Sequence, residues 1–256
     1  FHLCEDSSII GTPFYLMEWV PGEISQDPRL PDMTATDRRK IYTAMAKILA
    51  RIHKINWRTI GLESFGKHEN FIQRQVALWG RQYSASQTQK IPEMDCLIEW
   101  LTKNSPQTFK TTLIHGDYRL GNIMINSDRT SINAVLDWEL STLGNPMVDL
   151  AYNCLPYYLP RGNKKLVEGL KYINFKMMGI PDEEEYLSIY CHEIDETKEI
   201  ADWKFYLTFA MFRLAAISQG VYSRSLHGNA SASNAHEFGE RAVHLAKIAC
   251  EIRTNF

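Results

Sequence analysis

Three short apolar runs in the middle of the chain enclose a polar loop. They are Thr112-Leu113-Ile114, Ile123-Met124-Ile125 and Ala134-Val135-Leu136. Runs of this kind form short buried strands, so they anchor the segment in a core and hold the intervening polar residues rigidly at its rim. On both sides of this segment, apolar residues recur at helical spacing. The sequence therefore predicts an α+β fold with a helical body and one compact strand–loop–strand element.

The helical pattern is strong enough to assign individual elements. Thr34 or Thr36 is suited to cap the first helix, because a threonine side chain accepts a hydrogen bond from the first turn. Near the N-terminus, Phe14 to Val20 is predicted to be a buried strand that Pro21-Gly22 terminates. Helices are predicted at about 34–55, 69–84, 93–103, 146–156, 163–178, 182–193, 199–224 and 233–253.

The polar residues around the apolar runs have the chemistry that phosphoryl transfer requires. That reaction needs an oriented hydroxyl group and magnesium ions that bridge the phosphates. Asp117 supplies a carboxylate for the hydroxyl proton, and Asn122 and Asp137 supply hard oxygen ligands of the kind that Mg²⁺ prefers. Arg119 lies two residues after Asp117, so its guanidinium could offset negative charge on a transferred phosphate. His115 could hydrogen-bond within the loop and stabilise its conformation. Any one of these residues alone fits an ordinary turn or core position, but the joint pattern favours a catalytic site.

The pattern His-Gly-Asp-x-x-x-x-Asn at 115–122, followed by Leu-Asp-Trp-Glu at 136–139, resembles the aminoglycoside phosphotransferase and choline kinase group. This group shares the protein-kinase-like fold. The resemblance continues through residue 151 and extends to residues 44–53, 74–83 and 219–224. It is closest to the phosphotransferase domain of acyl-CoA dehydrogenase family members 10 and 11, and it covers nearly the whole chain.

The resemblance implies a role for several residues. Asp117 matches the catalytic aspartate, and Asn122 and Asp137 match the two metal ligands. Arg119 occupies the position of a phosphate-contacting lysine, and Asp149 that of an aspartate that supports the catalytic loop. Asn145 departs from the family, in which many members have aspartate in a Gly-Asp-Pro turn, but asparagine tolerates the same turn.

The N-terminal strand resembles the hinge between the two lobes of a kinase. In that fold, the backbone of Glu18 to Val20 would hydrogen-bond the adenine of ATP, and Met17 would face its ring. An ordinary buried strand followed by a turn is the alternative interpretation. The resemblance divides the chain into a remnant of the N-terminal lobe at 1–24 and a helical C-terminal lobe at 25–256.

The glycine-rich phosphate loop and strand lysine of this fold would lie before residue 1. Among the 14 glycines, none form G-x-G-x-x-G. We therefore interpret the chain as part of a longer protein and expect it to transfer phosphate poorly by itself.

The resemblance also implies an acceptor and a partner. A hydroxyacyl-CoA is the implied acceptor, and a fused acyl-CoA dehydrogenase is the implied partner. Gln219, Tyr222 and Arg224 are weak candidates for acceptor contacts. A site for the CoA phosphates is expected on the helical lobe, with Arg161, Lys164 and Lys165 as its candidate cations. The alternative interpretation of these three residues is the solvated start of a helix.

Composition narrows the remaining functions. The 256 residues carry a net charge of −2, so no general basic field favours nucleic acid as the main partner. Five widely spaced cysteines, an odd number without a CxxC pair, argue against a disulfide framework and a zinc site. No apolar run reaches the roughly 18 residues of a membrane span. Two other functions stay open, a non-catalytic kinase-like binding module and a metal-dependent hydrolase that uses His115, Asp117 and Asp137.

Overall fold

Helices form most of the structure, and short strands lie at its N-terminus and centre. The computed structural model describes residues 2–67, 69–107, 110–161, 168–195, 200–227 and 235–254. Its helices are α1 (Ala35–Lys54), α2 (Phe71–Ser86), α3 (Pro92–Lys103), α4 (Pro146–Cys154), α5 (Phe175–Met178), α6 (Glu183–Glu193), α7 (Trp203–Leu226) and α8 (Phe238–Thr254). Its strands are β1 (His2–Cys4), β2 (Phe14–Leu16), β3 (Thr112–Ile114), β4 (Ile123–Ile125), β5 (Ile132–Val135) and β6 (Thr142–Gly144).

Helix α7 forms the centre of the core. It is apolar around most of its circumference, and its residues from Phe205 to Phe212 are all buried. A helix that is apolar on every side must be covered on every side. Helices α2, α3, α4 and α8 pack around it and provide this cover.

Helix α1 forms the second large packing surface. Thr34 caps its N-terminus, where the threonine hydroxyl accepts a hydrogen bond from the backbone N–H of Asp37 at 3.2 Å. The buried face of α1 includes Ile41, Met45 and Leu49. This helix packs against α6 and against β3, so it supports the strand that leads into the polar loop.

The strands form three separate antiparallel pairs. Strand β1 pairs with β2, β3 with β6, and β4 with β5. In the central pairs, Leu113 lies opposite Leu143 and Met124 lies opposite Ala134. Strand β6 was not predicted, because its three residues are too short for a periodic signal. They form a strand only because β3 pairs with them.

The prediction of a buried strand over 14–20 is wrong in length and burial. The strand covers only Phe14–Leu16, and Tyr15, Leu16, Met17 and Trp19 are all exposed. Its single neighbour among the described residues is β1, and a two-stranded pair with no layer packed against it leaves its side chains in solvent.

The predicted helix at 163–178 is also largely wrong. Residues 162–167 lie outside the described part, and 168–174 form no helix before the short α5. Leu170 N–H donates to the Pro156 carbonyl at 2.7 Å, and Lys171 N–H donates to the Leu159 carbonyl at 3.1 Å. The segment therefore hydrogen-bonds to the turn that follows α4, in addition to a short turn of its own in which Ile173 N–H donates to the Leu170 carbonyl at 3.2 Å.

Among the described residues, we find no helix with the length and apolar character needed to cross a lipid bilayer.

Candidate active site

The central strand pairs fix both ends of the polar loop. Strand β3 ends directly before His115, and β4 begins directly after Asn122. The backbone N–H of Leu136 donates to the Asn122 carbonyl at 2.8 Å. The end of β5 therefore lies beside the start of β4, and Asp137 follows one residue after this contact.

Asn122 connects this corner of the sheet to Asp117. Its side-chain nitrogen donates to the backbone carbonyl of Asp117 at 2.9 Å and to the Asp117 carboxylate at 2.8 Å. Asn122 is buried and Asp117 is partly exposed, so both hydrogen bonds lie at the edge of the core. Because the amide nitrogen is used in this way, Oδ1 is the side-chain atom of Asn122 that remains for a cation.

Asp137 lies at the surface of the same corner. Its backbone is in the left-handed region, at φ 65° and ψ 61°, which aspartate tolerates better than most residues. A short 3₁₀ turn, Trp138–Leu140, begins immediately after it. The Asp137 side chain is exposed and therefore accessible to solutes.

Asp149, on α4, supports the loop from below. One carboxylate oxygen accepts a hydrogen bond from the backbone N–H of His115 at 2.6 Å, and the other accepts from Gly116 N–H at 2.8 Å. His53 Nε2 lies 3.5 Å from the same carboxylate. Asp149 is only 1 % exposed, and charge-assisted hydrogen bonds in a buried setting are strong. The start of α4 and the polar loop are therefore held as one unit.

His115 lies behind the loop and connects it to β5. Its Nδ1 accepts a hydrogen bond from the Asp117 backbone N–H at 3.2 Å, so Nε2 carries the proton and donates to the Leu136 carbonyl at 2.9 Å. The ring is fully buried and packs against Trp138, with centroids 4.7 Å apart. This geometry makes His115 a positioning residue.

Arg119 lies beside Asp117 at the loop surface. Its Nε is 3.3 Å from the Asp117 carboxylate, and Nη1 donates to the Gln26 side chain at 3.0 Å. A Cβ on Gly121 would overlap the Arg119 guanidinium, so glycine at 121 leaves room for this contact. The guanidinium is therefore held next to the carboxylate and partly in solvent.

A cavity of about 380 Å³ opens beside Asp117 and Arg119. Most of its lining is apolar and comes from α1, α4, α7 and the turn after α4, including Met45, Leu155 and Ile217. A small molecule in this cavity would place its polar end at Asp117 and Arg119 and its apolar part against the helices.

Tyr152 and Arg213 line this cavity and were not predicted from the sequence as site residues. Burial raises the pKa of Tyr152 to about 12, and the negative charge of Asp117 contributes to the same shift. Arg213 lines the cavity from the middle of α7. The available signal was that Arg213 is the only charged residue between Lys204 and Arg224.

The structure does not bring the predicted acceptor contacts Gln219, Tyr222 and Arg224 to this cavity. Gln219 is buried and donates to the Ser86 carbonyl at 2.8 Å and the Thr88 hydroxyl at 2.9 Å. The other two lie near the end of α7, where Tyr222 faces Gly239 and Arg224 is exposed. The part of α7 that reaches the cavity is one to two turns earlier.

The predicted hinge residues directly precede a segment that hydrogen-bonds to the β4–β5 hairpin. Met17 and Glu18 are exposed, Val20 is partly buried, and residues 17–20 form no regular element. Glu23 pairs with Ile125 through two backbone hydrogen bonds of 2.8 and 2.9 Å. The chain after the hinge therefore runs along the hairpin whose other end carries Asn122 and Asp137.

The oxygen donors at the corner fit a magnesium ion. Among the residues that the structure describes, there is no group of three or more His, Cys, Asp or Glu side chains placed to hold a metal. Asn122 and Asp137 offer an amide and a carboxylate oxygen, which suits an ion that keeps several waters and takes other ligands from phosphates.

Of the cations predicted to contact CoA, Arg161 is exposed, and Lys164 and Lys165 lie outside the described residues.

The sequence and the fold of the chain both match known proteins. The model of the phosphotransferase enzyme family matches residues 1–170, and the chain belongs to that family. A solved structure assigned as an aminoglycoside phosphotransferase from Ralstonia eutropha superposes with a TM-score of 0.92 at 40 % identity, over 100 % of this chain and 77 % of that one. Choline kinase from Cryptosporidium parvum shares the fold, with a TM-score of 0.57 at 16 % identity over 93 % and 70 % of the two chains. The predicted kinase-like fold is confirmed.

The similar proteins of known sequence are acyl-CoA dehydrogenase family members. Member 10 from Mus musculus is 47 % identical over 252 residues, which are 98 % of this chain and 23 % of that protein. Member 11 from Homo sapiens is 40 % identical over 250 residues, which are 97 % of this chain and 32 % of that protein. The chain thus spans about a quarter to a third of these relatives.

Proposed function

We propose that the chain carries the catalytic and acceptor-binding residues of an enzyme that transfers the γ-phosphate of ATP to a hydroxyl group of a small molecule. The observation that carries the proposal is the hydrogen-bonded unit formed by Asp117, Asn122 and Leu136. It is supported from below by Asp149 and opens onto the apolar cavity.

Asp117 is the residue that orients the acceptor. Its carboxylate lines the cavity, and the side-chain nitrogen of Asn122 holds it in place. A hydroxyl group at the mouth of the cavity would donate a hydrogen bond to Asp117 and pass its proton there as the new O–P bond forms. The rigid loop lowers the cost of aligning the hydroxyl for attack.

Three further residues interact with the phosphates or their metal ion in this proposal, and they are Arg119, Asn122 and Asp137. The Arg119 guanidinium, next to Asp117, would offset negative charge on the group in transfer. Asn122 and Asp137 would hold Mg²⁺ through their side-chain oxygens. When bound, this ion neutralises charge on the nucleotide phosphates.

The nucleotide would lie along the β4–β5 hairpin. Its adenine would meet the backbone of Glu18 to Val20 and the side chain of Met17. Strand β4 advances roughly 10 Å over its three residues, which separates an adenine site near the hinge from the phosphates at Asn122. The division into an N-terminal part at 1–24 and a C-terminal lobe at 25–256 belongs to this proposal.

A hydroxyacyl-CoA is the acceptor that we propose. The relatives are named as acyl-CoA dehydrogenases, which associates the chain with acyl-CoA chemistry and with a fused dehydrogenase in the longer protein. The apolar lining of the cavity suits an acyl chain.

The test is ATP-dependent phosphorylation of a 4-hydroxyacyl-CoA, followed by mass spectrometry. The assay is run on this chain and on a form extended at its N-terminus, which we expect to be the active one. Asp117→Asn should lower kcat by roughly 10²- to 10⁴-fold, the usual contribution of a general base. Asp95→Asn changes an exposed aspartate on α3 and serves as the matched control with unchanged kcat.

Two results would count against the proposal. Equal turnover by Asp117→Asn and the control would remove Asp117 from the chemistry. An extended form that binds magnesium–nucleotide but phosphorylates no hydroxyl compound would point to a binding module.

A further inference from the structure

Arg213 is a buried cation that forms no ion pair within the described part of the chain. It is only 7 % exposed, and its Nε is buried with no hydrogen-bond partner in the described part of the chain. No carboxylate among the described residues forms an ion pair with it. Burying an unpaired charge is costly, so such residues are retained where a ligand completes them.

Two aromatic rings hold the Arg213 guanidinium in place. Its central carbon lies 5.2 Å from the centroid of the Trp79 ring and 5.3 Å from that of Tyr152. Cation–π contacts offset part of the desolvation cost, but they provide no acceptor for the Nε–H donor. The guanidinium is therefore fixed in position with a hydrogen bond still to make.

Arg213 and Asp117 line the same cavity. The ring of Tyr152 contacts Arg213, and the charge of Asp117 acts on the same tyrosine. Much of the remaining lining is apolar and includes Leu155 and Pro156 from the turn after α4. The cavity thus offers a carboxylate, a guanidinium and apolar surface.

The charges of the lining also exclude one class of acceptor. Arg119 and Arg213 are two cations, and Asp117 is the only carboxylate that lines the described cavity. A polycationic amino sugar would meet two like charges and too few acceptors for its ammonium groups. An acyl compound with oxygen atoms near one end avoids both conflicts.

We propose that Arg213 is a specificity-determining residue that binds the carbonyl oxygen of an acyl acceptor, while Asp117 receives the hydroxyl of the same molecule. The inference rests on the proposed function and deepens it. Because both residues line one cavity, an acyl compound that carries a hydroxyl group would contact both at once.

Binding of acceptor, measured by calorimetry without nucleotide, tests this role. The probes are a 4-hydroxyacyl-CoA, its free 4-hydroxy acid and the matching secondary alcohol without a carbonyl group. Arg213→Met should weaken both carbonyl probes at least 10-fold and change the alcohol less than 2-fold, since a guanidinium–oxygen hydrogen bond is worth about that much. If Arg213→Met weakens binding of the 4-hydroxyacyl-CoA only, the thioester carbonyl is the group that Arg213 recognises. If it weakens binding of the 4-hydroxyacyl-CoA and the free 4-hydroxy acid alike, Arg213 binds a carboxylate as well as a thioester carbonyl.

Two further variants keep the test independent of folding. Arg81→Met removes an exposed arginine of α2, beside the helix face that carries Trp79, and should leave all three affinities unchanged. Arg213→Lys keeps the charge and should restore part of the affinity for the carbonyl probes. Thermal unfolding should show Arg213→Met to be as stable as the wild type or more stable, because an unpaired buried charge has been removed.

Two outcomes would overturn the inference. One is an equal loss for the alcohol and the carbonyl probes, which would make Arg213 a packing residue. The other is unchanged affinity for all probes in Arg213→Met. Neither touches the proposed function, which the phosphorylation of any hydroxyl compound by the extended form would still support.

Discussion

At the scale of single residues, the site depends on groups that serve two partners at once. Asn122 holds Leu136 through its backbone and Asp117 through its side chain. His115 accepts from the loop and donates to the end of β5, and Asp149 uses both carboxylate oxygens on the loop backbone. Substitutions within this network are therefore expected to be non-additive.

Tyr152 gives a prediction at this scale. Its pKa of about 12 keeps the phenol neutral over the usual assay range, roughly pH 6 to 10, so the hydroxyl acts as a donor near Asp117 and not as a base. Tyr152→Phe should lower kcat by about 3- to 30-fold, the effect of one lost hydrogen bond. The alkaline limb of the pH–rate profile should keep its shape. A shifted alkaline limb in Tyr152→Phe would show that the phenol ionises during the reaction.

The sequence predicted which residues of the site lie together only where they are close in the chain. Asp117 and Asn122 lie within one loop, and their spacing alone brought them together. Tyr152 and Arg213 reach the cavity because α4 and α7 pack together, and no local pattern encodes that contact. The weak candidates on α7 failed to meet the cavity because the helix extends past it.

At the scale of elements, the turn at Gly116 joins β3 to the site. Its φ of +85° lies in the left-handed region that favours glycine, and a Cβ there would overlap the carbonyl of Leu140. The loop can approach the Trp138–Leu140 turn this closely only with glycine at that position.

Gly116→Ala should lower the free energy of unfolding by about 1–3 kcal/mol, the usual cost of a strained backbone position. Urea unfolding measures this loss. Gly80→Ala is the matched control, because Gly80 lies within α2 and a Cβ there would make ordinary contacts, 3.7 Å from Ile98. That variant should be about 0.5–1 kcal/mol more stable, because alanine favours a helix. Destabilisation of equal size at both sites would contradict the argument.

The elements themselves were predictable where capping and periodicity agree. Thr34 marked the start of α1 because its hydroxyl caps the helix, and the apolar spacing of α1 continued to its end. The helix at 163–178 failed because Leu170 and Lys171 hydrogen-bond to carbonyls of 156 and 159, contacts that depend on the tertiary fold. A Cβ on Gly169 would overlap the Leu159 carbonyl, so glycine permits this close approach.

At the scale of the whole molecule, a ligand that binds only the folded state raises its stability. Magnesium–ADP at 100 times its Kd should add about 2.7 kcal/mol to the free energy of unfolding. Asp137→Asn should abolish the part of this gain that depends on magnesium, because the variant removes the charged ligand. Differential scanning calorimetry with and without Mg²⁺ measures the total stabilisation by the nucleotide and the part of it that depends on magnesium.

Asp95→Asn should retain the full magnesium-dependent gain, since its carboxylate is exposed on α3. A magnesium-dependent gain of wild-type size in Asp137→Asn would place the ion elsewhere.

Hydrogen bonds and an ion pair connect residues 21–32 to the β4–β5 hairpin and restrict the rotation of strands β1 and β2. Pro21 accepts a hydrogen bond from Asn133 at 2.8 Å, Glu23 pairs with Ile125, and Arg129 forms an ion pair with Glu23 at 2.6 Å. Any rotation of the β1–β2 pair must therefore pivot within residues 17–20. The corner that contains Asn122 and Asp137 stays with the helices during such a rotation, so the hydrogen bond between Asn122 and Asp117 does not depend on the position of the β1–β2 pair.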